Sequence, residues 1–294
     1  MKISPDCYDC LQGLIRQAAG LATDDASLQQ KAMEEATKVL DSEFSCNQIS
    51  IVIATSIHRV IKEITGNPDP YRAIKDKEMA IARELYSELS LRAEAASRRR
   101  GRKRSNLHSD DLRGCLKLAA KANTIDFFRN PGVIRDALMK PLRFVIDDSS
   151  LFETKLKDVR KILYLADNAG EIYFDLPLIK KMRQFADVTY VVKSLPVQND
   201  STLEDIRRSG LESQFGRIIT TGTASPGIVF SLASPQFKQE FASADLVFAK
   251  GMGHYESLSE LPREGRFFYC LMAKCKPVAA SIGVPLNSYV AMLR

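Results

Sequence analysis

The hydrophobic pattern changes period near residue 157. Before it, apolar positions recur at helical spacing. Leu11, Leu14, Ile15, Ala18 and Ala19 form one stripe, and Ala32, Ala36, Val39 and Leu40 form a second. Ser50 to Ala54, continuing through Ile57, Val60, Ile61 and Ile64, predicts a well-buried helix. It stops in the breaker-rich run Gly66-Asn67-Pro68-Asp69-Pro70. A long helix is expected from Ala73 to about Ala96, another from Asp111 to Ala122, and a short one over Ile134 to Leu138.

After residue 157, strand-like apolar runs alternate with amphipathic segments. Strands are expected at Ile162–Ala166, Val188–Val192, Arg217–Thr220, Leu246–Ala249 and Val278–Ile282. Helices are expected at Tyr173–Phe185, Leu203–Ser209, Gln236–Phe241 and Glu264–Cys275. Such alternation predicts a parallel sheet covered on both faces. The fold class is therefore α/β: an all-helical domain over 1–155, then a Rossmann-like α/β/α sandwich with a mostly parallel sheet over 156–294.

Composition narrows the class little further. The 294 residues are 45% hydrophobic and 27% charged, as in an ordinary globular protein. No apolar run is long enough to span a bilayer, and no signal-peptide core stands near the N-terminus. A cytoplasmic protein with no membrane partner is the expectation. Six cysteines are too few for a disulfide scaffold. The net charge of +6 is largely local, since Arg98-Arg99-Arg100-Gly101-Arg102-Lys103-Arg104 alone carries six positive charges.

The chemistry gathers where the expected strands end. The run Lys161 to Leu165 stops at Asp167-Asn168-Ala169-Gly170-Glu171. Val191-Val192 runs into Lys193-Ser194-Leu195-Pro196-Val197-Gln198-Asn199-Asp200. Thr220 is followed by Thr221-Gly222-Thr223-Ala224-Ser225-Pro226-Gly227, and Ala249 by Lys250-Gly251-Met252-Gly253-His254-Tyr255-Glu256. Ligands of open α/β sheets bind beyond the carboxyl ends of the strands, so four polar loops there converge on one cavity. Each loop alone reads as turn chemistry, and Asp167 or Asn168 alone as a helix cap. Together, Asp167, Asn168 and Asp200 make a hard oxygen set suited to a divalent cation. Lys250, the backbone at Gly251, and the Thr221 and Ser225 hydroxyls suit a phosphate. Glu171 is a candidate for positioning water or supporting the ligands. Asn123 and Asp126, at the end of a helix, are candidates to reach the same cleft.

These motifs resemble one family. DN-x-GE after a strand, K-x-x-P-x-x-ND, KG-x-G-x-x-E and the C-x-x-x-KC of Cys270–Cys275 are similar to the DUF89 proteins, the damage-control phosphatases. The N-terminal Cys7-x-x-Cys10, Glu63-Ile64-Thr65-Gly66 with Asp69-Pro70-Tyr71, and Ala122 to Phe127 resemble its stand-alone prokaryotic branch. The resemblance spans nearly the whole chain. It implies a metal-dependent phosphatase acting on small phosphorylated metabolites, among them sugar phosphates and phosphopantetheine-type or damaged compounds. It implies Mn²⁺, Co²⁺, Ni²⁺ or Mg²⁺ on Asp167, Asn168 and Asp200, phosphate contact at Lys250, and no organic cofactor. His254 stands where that pattern has Asn, Ala122 where it has Gly, and the basic run reads as an insertion. Glu256 closes the third motif.

Two rival functions suit parts of the sequence. A Rossmann-like sheet also suits an S-adenosylmethionine-dependent carboxyl methyltransferase, but the Gly-rich first loop with an acidic residue about 20 positions on is missing. The basic run suits a nucleic-acid-binding arm, yet it has no interleaved aromatics and no recognised motif around it. A solvated loop is the preferred reading. Cys7 and Cys10 lack a second close pair and read as plain thiols rather than half of a zinc site. His58, following a buried helical run, reads as a core histidine.

Overall fold

The computed structural model describes residues 1–99, 111–123 and 140–294. Three helices that pack on one another come first: α1 (Asp6–Ala22), α2 (Ala26–Glu43) and α3 (Ser50–Thr65). Their stripes meet in a separate core of Ile15, Ala18, Ala32, Ala36, Leu40, Ile53, Ile57 and Ile61. Asp25 caps α2 by accepting from the Ser27 and Leu28 amides, and Gly66 ends α3 at φ +67°, a conformation glycine adopts freely. Then come α4 (Arg72–Arg99) and α5 (Leu112–Ala122).

The second layer system is a seven-stranded sheet in the order β1-β7-β6-β5-β2-β3-β4. The strands are β1 (Phe144–Asp147), β2 (Lys161–Leu165), β3 (Asp187–Val192), β4 (Arg217–Thr220), β5 (Leu246–Lys250), β6 (Phe267–Ala273) and β7 (Ser288–Leu293). Helices α6 (Ser149–Leu156), α7 (Ile172–Met182), α8 (Leu203–Ser209), α9 (Glu212–Phe215), α10 (Pro235–Ser243), α11 (Gly251–Leu258) and α12 (Lys276–Ile282) connect them. All neighbours are parallel except β6 and β7. The sheet is thus an α/β sheet with one reversed edge, made of β7 and β1.

Strand periodicity sorts the side chains between two cores. Ile162 and Tyr164 of β2 join Tyr190, Phe248 and Phe268 under α4, α5 and α7. Leu163 and Leu165 join Val247, Tyr269 and Phe237 on the opposite face. Both faces are dry, so β2 and β5 read as unbroken apolar runs.

The sequence expectations need two corrections. Residues Glu264–Cys275 were expected to be helical, but Phe267–Ala273 is β6, fully buried and paired on both sides. A doubly buried strand shows no alternation, so periodicity does not separate it from a buried helix. Val278–Ile282 was expected as a strand, but it lies in α12, which starts with Pro277 in its first turn and stops at Gly283, φ +85°. Those are helix start and stop signals. Strands β1 and β7 were not anticipated, and β1 belongs to the sheet although it lies within residues 1–155. The expected helix over 134–138, Asp126 and residues 100–104 of the basic run lie outside the described residues. Among the described residues, no helix is long and apolar enough to cross a membrane.

His58 sits in α3, 2% exposed, edge-on to Tyr71 with ring centroids 5.8 Å apart. Burial, reinforced by the Lys62 charge, pushes its pKa down to about 3. An unfolded histidine titrates near 6.5, so the unfolded chain binds the proton first as pH falls. His58 therefore withdraws stability below pH 6.5, and the loss is complete near pH 3. From pH 7 to 5 it is worth about 2 kcal/mol. Urea unfolding of wild type and His58→Gln at both pH values checks this. The wild type should lose that much more than the variant, and equal losses would refute the assignment.

Candidate functional site

Sheet topology places the site. From β2 the chain steps outward to β3 and β4 on one side, whereas β5 and β6 lie on the other. The crevice between β2 and β5 is therefore the switch point, where open α/β sheets take ligands. Asp167 follows β2 there, and Gly251 follows β5. The two chains touch: a Cβ on Gly251 would lie 2.0 Å from Asp167 Oδ2, and its φ is +76°. Only glycine fits this approach.

Asp167, Asn168 and Asp200 come together. Asn168 and Asp200 pair through an isolated antiparallel bridge, and the Ser201 amide donates to the Asp167 carbonyl at 2.8 Å. Asn168 stands before the 3-10 turn Ala169–Glu171 but makes no side-chain capping bond, so the cap reading fails. Its Nδ2 instead donates to Glu171 Oε1 at 2.9 Å, which turns its Oδ1 the other way.

Glu171 is the organiser. Its Oε1 also accepts from Asn123 Nδ2 at 2.8 Å, and the same Nδ2 donates to Asp167 Oδ2 at 2.8 Å. Asn123 ends α5, and its Oδ1 accepts from the Met272 amide of β6 at 3.3 Å. Glu171 Oε2 lies 2.6 Å from Lys250 Nζ. Glu171 thus spends both oxygens inside the fold and does not line the cavity.

Lys250 needs correcting. It was expected to meet phosphate, but its ammonium is wholly buried and used up. It lies 2.6 Å from Glu171 Oε2, 2.9 Å from Asp175 Oδ1 and 2.6 Å from the Ala119 carbonyl. Burial alone would lower its pKa, but the Asp175 and Glu171 carboxylates prevail and raise it. Asp175 also accepts from the Tyr190 hydroxyl at 3.1 Å. Thr221 and Ser225 are buried in their own loop and do not line the cavity, and neither does His254. Glu256 does line it, hydrogen-bonded to the Ser50 hydroxyl.

A cavity of about 680 Å³ opens above this cluster, with Asp167, Asn168, Asp200 and Asn123 on its floor. Helices α1 and α3 roof it with Leu11, Leu14, Ile51 and Ala54. Lys274, just after β6, lines the wall and acts on Asp167 electrostatically. Lys274 is the lysine of the C-x-x-x-KC motif, but no role was expected of it, because the segment before it was expected to be helix rather than a strand ending at the site. Cys7, Cys10 and Cys275 lie near the rim.

The acids are poorly neutralised. Burial, then the Glu171 and Asp200 charges, hold Asp167 well above the usual carboxylate range. Burial raises Asp200 to about 6 despite the opposing Lys193. Asp200 Oδ2 has no hydrogen-bond partner among the described residues, only Lys193 Nζ at 3.5 Å. An orphaned buried carboxylate oxygen beside a second carboxylate and an outward amide oxygen fits a hard divalent cation. Among the described residues there is no cluster of three or more His, Cys, Asp or Glu side chains of that kind, so the amide is needed to complete the set.

The chain is similar to several known proteins along its whole length. The profile of the damage-control phosphatase ARMT1-like domain matches residues 3–290. An uncharacterized protein of Methanocaldococcus jannaschii is 34% identical, covering 100% of this chain and 96% of its own length. The damage-control phosphatase PH1575 of Pyrococcus horikoshii is 33% identical over 99% of this chain and 98% of its own. A damage-control phosphatase of Archaeoglobus fulgidus is also 33% identical, over 99% of each. The crystal structure of the Pyrococcus horikoshii DUF89 protein superposes with a TM-score of 0.85, covering 100% of this chain and 99% of that one.

The ion cluster yields a stability prediction. Lys250→Met leaves Glu171 and Asp175 buried without their cation, so it should destabilise by about 3–5 kcal/mol. Adding Asp175→Asn should return part of the loss. Guanidinium titration measures both. A Lys250→Met variant as stable as wild type would contradict the assignment.

Proposed function

This chain belongs to the damage-control phosphatase ARMT1-like family, and from that premise we propose that it hydrolyses the phosphomonoester of a small metabolite. In this reading Asp167, Asn168 and Asp200 hold one divalent cation, Mn²⁺, Co²⁺, Ni²⁺ or Mg²⁺. The observation that carries it is the orphaned Asp200 Oδ2 beside Asp167 and Asn168 on the cavity floor.

Bound there, the cation supplies a Lewis acid for a phosphoryl oxygen and makes water more acidic. The chain's own residues do the rest. Glu171 fixes the Asn168 and Asn123 amides, so the oxygen set is built before anything binds. Asn123 holds Asp167 Oδ2 and thereby sets the rotation of that carboxylate. Lys274 on the cavity wall takes the role first given to Lys250, pairing with the phosphate dianion as a compact charge. The apolar roof of Leu11, Leu14 and Ile51 shields the phosphoryl group from water and strengthens each of these interactions. A cavity of about 680 Å³ admits a metabolite rather than a macromolecule.

The test is phosphate release from a panel of sugar phosphates and other phosphometabolites, with each of the four metals. Asp200→Asn should remain folded by circular dichroism, lose metal binding in calorimetry and fall at least about 10²-fold in kcat. Gly251→Ala should also cut activity, because its Cβ and Asp167 Oδ2 compete for one place. No release from any ester with any metal would defeat the phosphatase reading. Full activity in Asp200→Asn would defeat the site.

A further inference from the structure

A second lysine is buried beside the cation site. Lys193 Nζ, just past β3, lies 3.0 Å from the Gly227 carbonyl, 3.2 Å from His254 Nε2 and 3.5 Å from Asp200 Oδ2. Lys193, His254 and Asp200 are 1%, 2% and 4% exposed, so the three groups meet inside the fold. His254 is held from its other side, with Nδ1 2.7 Å from the Lys250 carbonyl. A carbonyl only accepts, so Nδ1 carries a proton. An ammonium only donates, so Nε2 presents its lone pair. The two neighbours thus fix one neutral tautomer by geometry.

An ammonium has three protons. Here two go to neutral acceptors, Gly227 and His254, and the third faces Asp200. At 3.5 Å that contact is longer than the roughly 2.7–2.9 Å of a charge-assisted hydrogen bond. Asp200 Oδ2 is left without a hydrogen-bond partner among the described residues. Removing the histidine acceptor leaves a buried N–H unsatisfied. The nearest relief is for Nζ to close on Asp200 and occupy the oxygen a cation needs.

We propose that His254 is a positioning residue: it holds Lys193 back from Asp200 and so keeps Asp200 Oδ2 available to a divalent cation. This rests on the cation site proposed above. His254 touches neither cation nor substrate and acts only through Lys193. A merely structural histidine, tying α11 to the loop after β3, would change stability without this dependence on Lys193.

Calorimetric titration of metal-free protein with Mn²⁺ separates the two. His254→Leu keeps the volume without an acceptor and should weaken Mn²⁺ binding by about 10–100-fold, as loss of outer partners of metal ligands does. His254→Gln, whose amide oxygen accepts from Lys193, should stay within about threefold of wild type on the same scale. Lys193→Met removes the competing ammonium and should bind Mn²⁺ at least as tightly as wild type. In that background His254→Leu should have no further effect. A His254→Leu protein that binds like wild type overturns the inference, and so does a loss that persists with Lys193→Met. Should His254→Leu fail to fold, weakened binding in Lys193→Met alone overturns it. A wild type that takes up none of Mn²⁺, Co²⁺, Ni²⁺ or Mg²⁺ refutes the cation site itself, a separate outcome.

Discussion

The contact on which the site depends is the buried ion cluster of Lys250, Glu171 and Asp175. Taking three charges out of water costs several kcal/mol per ion, and only good geometry offsets it. That geometry is present: Lys250 sits within 2.9 Å of both carboxylates, and the Ala119 carbonyl takes a further proton. The cluster also joins separate elements, since Lys250 ends β5, Ala119 lies in α5, and Glu171 and Asp175 bracket the start of α7. Glu171 then uses its other oxygen on two amides, Asn123 and Asn168. The charge cluster beneath the floor thus fixes the orientation of two amides on it.

Backbone proximity is the second constraint. The loop after β4 and the first turn of α11 pack so closely that a Cβ on Gly253 would lie 1.9 Å from the Pro226 carbonyl oxygen. A Cβ on Gly227 would lie 2.6 Å from the Gly253 oxygen. Any side chain at these positions would push the loop and the helix apart, and with them Lys193, which reaches the Gly227 carbonyl. Gly227 and Gly253 are therefore needed where the loop after β4 crosses the start of α11. Their presence does not by itself mark a phosphate cradle.

Much of this was legible in the sequence, and the limits have physical reasons. Apolar runs ending in polar loops located β2, β3, β4 and β5 and brought Asp167, Asn168 and Asp200 to one edge, because strand ends and topology are backbone properties. The role of Lys250 was not legible. Residue order places an α-carbon at a strand end but does not say whether a four-carbon stem turns up to the cavity or down to Asp175. Asn123 was located at a helix end, yet its double donation to Asp167 and Glu171 depends on α5 packing against α7, a contact between distant segments. Lys274 stood in the C-x-x-x-KC motif, but its place at a strand end was lost with β6, whose seven buried residues carry no period. Lys193 stood in a recognised motif, but nothing in its neighbours' identities indicated a contact with His254, 61 positions away.

The three lysines near the floor divide by burial. Lys250 is enclosed by opposite charge and held protonated, so it acts as a fixed structural cation. Lys193 is equally buried but faces one carboxylate and two neutral acceptors. Burial lowers its pKa, and the Asp200 charge only partly opposes this. Lys274 borders the cavity. A cationic side chain can serve a ligand only if its protons are not already spent, and Lys250 fails that condition whereas Lys274 meets it by position. The acids follow the same logic in reverse. Glu171 and Asp175 face the Lys250 ammonium inside the fold, whereas burial, then the Glu171 and Asp200 charges, raise Asp167, and burial raises Asp200 against the more distant Lys193. Negative charge left unanswered at the mouth of a switch-point crevice favours whatever positive charge enters. In the proposed reading, a divalent cation is what answers that charge.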